Sequence, residues 1–183
     1  MSIESAVPIE PPSVIDTLIG DFTNRERALK SVLKTAAKLS PSDWESEILR
    51  DTPSIQLTLN HVITGIDIWL GRWTGKERDI PEEFDLNTLT GMRSYLDVLM
   101  PEVKSYIAGL TPEDLSRDLI FTSPDDDITR AYRLGDAIKE GYFHMHEHIS
   151  VAAAMLTSLG HSPGDLGFLG RAHYETVPDH CKQ

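Results

Sequence analysis

The chain has 183 residues, a net charge of -12, 40% hydrophobic and 25% charged residues, the size and balance of one globular domain able to bury a core. Its lysines and arginines are scattered, so no basic stripe can neutralise phosphates or anionic lipid, and neither nucleic acid nor a membrane surface is an expected partner. The single cysteine, Cys181, permits no intrachain disulfide and no cysteine-based zinc cluster.

The N-terminal stretch MSIESAVPIEPPS has neither the basic nor the apolar region of a signal peptide. No apolar run approaches the roughly 20 residues that span a bilayer, so the expected location is the cytoplasm. Residues 1–12 read as an extended arm, residues 13–167 as a helical bundle and residues 168–183 as a polar tail.

Ser13 is a good N-cap after two prolines. Behind it Val14, Leu18, Phe22, Leu29, Val32, Leu33 and Ala36 recur at steps of three and four, which predicts an amphipathic helix of about 25 residues. Leu39-Ser40-Pro41 ends it, and a linking stretch follows with a short helical turn around Trp44. Ser54 caps a second helix running to Thr74 and stopped by Gly75; it is apolar around most of its circumference and expected deep in the bundle. After a loop over 76–86, Asn87 is the expected cap of a third helix over 88–108, in which Pro101 should cause a kink or a break. Gly109 ends it, and Thr111-Pro112-Glu113-Asp114 starts a short turn. Leu119–Thr122 and Ile128–Tyr132 flank Ser-Pro-Asp-Asp-Asp as a small hairpin, the aspartates reading as a solvated turn without calcium-loop spacing. The last helix runs from about Gly135 to Leu159 and stops at Gly160, with Pro163 beyond. The fold class is therefore all-α, a four-helix bundle with a minor β-hairpin.

Of seven histidines, three fall in YFHMHEHIS. At 100° per residue His144 and His148 stand only about 40° apart, while His146 points about 200° away from His144. Two imidazoles four residues apart can grip one metal ion. The same stripe continues through Gly141, Ala137, Val151, Ala152, Met155 and Leu159, so it reads as the inward face, where two imidazoles need partners. His61 lies mid-way along the most apolar helix. Taken alone it reads as a hydrogen-bonded core residue; facing the His144/His148 pair it becomes a third ligand. Gly65, one turn on, either leaves room for a bound ligand or marks a close helix crossing. Glu140, one turn before His144, is a weak candidate for a general base, and it, Glu147 and Asp67 otherwise read as surface carboxylates. Trp69 and Trp73 read as packing residues. His161 reads as a solvent-facing loop residue, and His173 and His180 fall in the tail.

The stretches SIQLTLNHVITGIDIWLGRW and HMHEHISVAAAMLTSLGHSP resemble two helices of the DinB-like (DinB/YfiT-like) family of metalloenzymes, one with a single His followed by tryptophans, the other with His, three residues, His and a Leu-Gly-x-x-Pro ending. The resemblance covers about residues 12–167 of the chain. It implies an up-down-down-up bundle, one divalent ion (Zn, Ni, Fe or Co) on His61, His144 and His148, a small-molecule substrate, and frequent homodimers. Relatives include transferases and isomerases that use bacillithiol, mycothiol or glutathione. Many members carry Arg-Gly-Gln after the second ligand, where this chain has Ile149, Ser150 and Val151, so the relatives' substrates do not carry over.

Three ligands leave coordination positions open, as in catalytic rather than structural sites. A transferase activating a low-molecular-weight thiol on the ion is the expected function. The alternatives are a metal-dependent hydrolase with Glu140 as base, and a non-catalytic metal- or ligand-binding bundle.

Overall fold

In the computed structural model of the chain, residues 11–123 and 126–167 are described; the arm up to residue 10, Asp125 and the tail from residue 168, with His173, His180 and Cys181, lie outside them. Four long helices and a shorter one are joined by a hairpin: α1 Val14–Ala36, α2 Pro41–Glu45, α3 Ile55–Thr74, α4 Leu89–Ala108, β1 Asp118–Thr122, β2 Thr129–Arg133 and α5 Leu134–Ser158. A single 3-10 turn, Asp114–Ser116, precedes β1. No described helix is long and apolar enough to cross a membrane.

The helix ends follow local chemistry. Ser13 and Ser54 accept hydrogen bonds from the backbone amides of Asp16 and Leu57, occupying donors the first turn leaves free. Gly75 closes α3 in the left-handed region, at φ 67°, and Gly160, at φ 82°, closes α5. There His161 N–H donates to Leu156 and Gly160 N–H to Thr157, the paired bonds of a Schellman end. Ser54→Ala is expected to cost about 1 kcal/mol, read as a lower urea midpoint with an unchanged slope.

Two expectations need correction. Thr88, not Asn87, caps α4, accepting from Gly91 N–H at 3.1 Å, because Asn87 is bound into the preceding turn through Asp85. And of the kink or break expected at Pro101 the break does not occur, α4 running through it as one helix: the ring removes one donor, but Leu96, Leu99, Met100, Val103 and Ile107 on both sides are fully buried, and that shared burial outweighs one lost bond.

Cross-helix contacts give the directions. Glu26 meets Lys104 and Lys30 meets Asp97, so α1 and α4 are antiparallel. The Phe22 ring meets Tyr142, and Arg25 meets His146, so α1 and α5 are parallel. Gly65 faces His144 and Gly141 faces Trp73, so α3 and α5 are antiparallel. The order is up-down-down-up, and one core of leucine, isoleucine, valine and methionine from all four long helices fills the middle.

The hairpin pairs Asp118 with Arg133 through Thr122 with Thr129. Leu119 turns into the core, and Phe121 meets Trp69 edge-on at 5.9 Å, so the hairpin lies over the end of α3. Asp126, in the turn, is clasped by Arg130 at 2.9 and 2.5 Å, which holds its carboxyl down at about 2.

Asp67 is 2% exposed and is not the surface carboxylate expected. Its Oδ1 accepts from Arg78 Nε and from the Tyr95 hydroxyl, each at 2.7 Å, and Arg78 also reaches Glu102 at 2.9 Å. The network ties the loop after α3 to α3 and α4. Burial, then the Asp67 carboxylate, push the Tyr95 hydroxyl up to about 12.

Candidate metal centre

The histidines meet in the groove between α3 and α5. His61 comes from α3 and His144 and His148 from adjacent turns of α5. The three rings lie 4.6–4.8 Å apart, centroid to centroid. Nε2 of His144 is 3.0 Å from Nε2 of His61, and one nitrogen from each ring falls within 4.8 Å of the others. Nitrogens bonded to one ion at about 2.0–2.1 Å stand close to such separations.

Their setting differs from the sequence expectation. The buried stripe of α5 runs through Leu134, Ile138, Gly141, Met145, Ile149, Ala152 and Leu156. His144, His148 and Val151 flank it, half-buried, and His61 is exposed. The ligand stripe and the core stripe are displaced by one residue, about 100° of helix, so the triad sits at the rim of the bundle, open to solvent on one side.

Gly65 settles which use its missing side chain has. A Cβ there would overlap the His144 ring, 2.9 Å from Nδ1 and closer still to Cε1. The space holds the ligand ring itself. That matters because Nδ1 of His144 is buried with no hydrogen-bond partner. Metal-binding imidazoles are ordinarily oriented by a carboxylate or carbonyl on the second nitrogen. Here the fit against the α3 backbone takes the place of such a partner, and leaves Nε2 facing His61.

Burial first, then the neighbouring His148 and His61, push His144 down to about 4. Burial and His61 lower His148 as well. Neutral imidazole is the form that binds metal, so the donor set fits a divalent ion. The sign for stability follows. The unfolded chain protonates His144 near 6.5 and the folded chain only near about 4, so the folded state binds fewer protons between them. Metal-free protein therefore keeps this contribution above that range and loses it as the pH falls through it. Thermal unfolding of metal-free protein across the range checks this, and His144→Asn should flatten the dependence.

His146 points away, as its angle requires, and accepts at Nδ1 from buried Arg25 at 2.7 Å. Arg25 also holds the Leu166 carbonyl, while Arg27 and Ser31 hold those of Gly167 and Pro163. Thus α1 straps down the segment after α5.

One cavity includes two of the three histidines in its wall, and a second, further along α3 and α5, includes none of them. One, of about 500 Å³, is bounded by Pro53, Leu57, His61, Glu147, His148 and Val151. The other, of about 610 Å³, is bounded by Trp69, Arg72, Phe121, Tyr132, Asp136 and Glu140. Glu140 is thus exposed in a neighbouring cavity rather than among the ligands. Arg72, Phe121 and Tyr132 had no individual signal in the sequence. Only the position of Trp69 and Arg72 one and two turns beyond Gly65 hints at the wall they form.

Residues 21–179 match the DinB family. No curated protein matches the chain.

Proposed function

The chain belongs to the DinB family, and we propose that it is a metal-dependent transferase that activates a low-molecular-weight thiol at His61, His144 and His148. The observation that carries this reading is a three-imidazole group open on one side, with His61 and His148 in the wall of a cavity of about 500 Å³ that can take a small molecule. A divalent ion held there would favour the thiolate form of a bound thiol near neutral pH. The chain's own part is to present three neutral nitrogens, to fix the His144 ring against Gly65, and to seat the reactants in the cavity that His61 and His148 border. The thiol sulfur forms the new bond, its proton passes to solvent, and the electrophile's leaving group, or its opened double bond, takes the electron pair. The hydrolase alternative takes Glu140 as base, but Glu140 lines the cavity beside Trp69, whose wall includes none of the three histidines.

Protein purified without a nickel column should carry one divalent ion per chain by elemental analysis. Incubated with thiols and a broad panel of electrophiles, it should consume thiol and electrophile in equal amounts, and His144→Ala should not. Metal-loaded protein that consumes no thiol with any electrophile would sink the reading. We extend it to a homodimer, for which exposed Leu57, Ile68 and Phe143 on α3 and α5 supply an apolar surface. Sedimentation as a single chain at micromolar concentration would remove that part.

A further inference from the structure

We propose that the cavity bordered by His61 and His148 takes the electrophile of the reaction, and that this electrophile is an apolar molecule without negative charge. This deepens the preceding reading by naming a substrate class, and it rests on that reading only for what happens to the molecule once bound.

The cavity, at about 500 Å³, is of small-molecule size. Its wall is mostly apolar, with Pro53 just before the cap of α3, Leu57 in the first turn of α3 and Val151 on α5. Leu57 stands four residues before His61, and Val151 three residues after His148. A body seated against these two side chains is therefore about one helical turn, ~5.4 Å of rise, from both imidazoles. Apolar carbon gains by leaving water there. A molecule rich in hydroxyls would instead leave them unpaired against Pro53, Leu57 and Val151.

The charge of the wall has one sign. Among the described residues it carries no lysine or arginine, and its carboxylate is Glu147, the residue before His148. Arg72 and Arg130 line the cavity beside Trp69 and not this one. An anionic electrophile would give up hydration here and meet a carboxylate in return. The chain's net charge of -12 adds to that repulsion at longer range. A neutral or cationic molecule with an apolar body satisfies the whole wall.

The test uses the metal-free full chain at about pH 8, where an ordinary imidazole is neutral. The probes are phenethyl alcohol, phenethylamine and phenylacetate, which share one apolar body and differ in charge, with glycerol as the polar control. Binding is followed by calorimetry and by the NMR shifts of the histidine rings. The alcohol and the amine should bind, phenylacetate should bind about fivefold more weakly than the alcohol, and glycerol should not bind. Glu147→Gln should bring phenylacetate level with the alcohol while leaving the alcohol unchanged, and Glu147→Lys should reverse their order. Val151→Asn should weaken all three aromatic probes together. No binding of phenethyl alcohol, equal affinity for phenylacetate and the alcohol, discrimination unchanged in Glu147→Gln, or full binding by Val151→Asn would overturn the proposal. Glu147 is exposed, so its variants should keep the fold, which circular dichroism checks. No metal or thiol enters the measurement, so its failure and that of the transferase reading are distinguishable.

Discussion

Replacing Gly65 with alanine is expected to strip the metal as thoroughly as replacing His144 itself, although Gly65 offers no ligand atom. The new methyl carbon would sit 2.9 Å from Nδ1 and 3.0 Å from Nε2 of His144, and closer still to Cε1. The overlap is with the body of the half-buried His144 imidazole, which follows the α3 backbone at Gly65. The ring can escape only by rotating outward, which takes its nitrogen away from His61. Loss of a residue that merely orients a ligand typically costs 10–100-fold in metal affinity. Losing a ligand should cost at least about 100-fold, ~2.7 kcal/mol or more. The backbone itself should gain, since alanine is favoured over glycine inside a helix by roughly 0.5–1 kcal/mol. Gly65→Ala should therefore stay folded by circular dichroism while chelator competition shows the affinity loss. Retention of one tightly held ion by this variant would remove the assigned role of Gly65.

The second large effect is on stability. Asp67→Ala should destabilise the protein by about 3 kcal/mol, the low end of what removing one partner of a buried pair costs. The low end applies because Arg78 is 24% exposed on its side chain and keeps Glu102, so it is not stranded. The Tyr95 hydroxyl loses its acceptor in a buried position, which adds to the penalty. For a chain of this size the shift is roughly 6–12 °C in Tm. Tyr95→Phe should cost about 1 kcal/mol, and the double variant should cost less than the sum, because both changes remove the same bond. Full additivity in chemical denaturation would show that the two groups are not coupled.

The bundle was legible in the sequence because its signals are local. Ser13, Ser54, Gly75 and Gly160 act within a turn of where they stand, and apolar periodicity marks the faces between them. The four-residue spacing of His144 and His148 was equally local. What could not be read was how deep the histidines lie on α5: residues 144, 148, 151 and 155 are two histidines, Val151 and Met155, beside the wholly apolar 145, 149, 152 and 156, and packing against α3 and α1 decides how much of the first stripe is buried. Asp67 was misread for a related reason. Its partner Arg78 lies 11 residues away in the following loop, at a distance no helical period predicts. The wall of the larger cavity draws Phe121 and Tyr132 from the hairpin and Trp69 and Arg72 from α3, and such a juxtaposition exists only after folding.

The rim position of the triad separates the three histidines from the side chains that hold the fold. His61 is exposed and His144 and His148 are half-buried, so exchanging them removes no fully buried side chain. A library randomised at those positions should accordingly yield mostly soluble members, among which new metal preferences can be selected without first rescuing the fold.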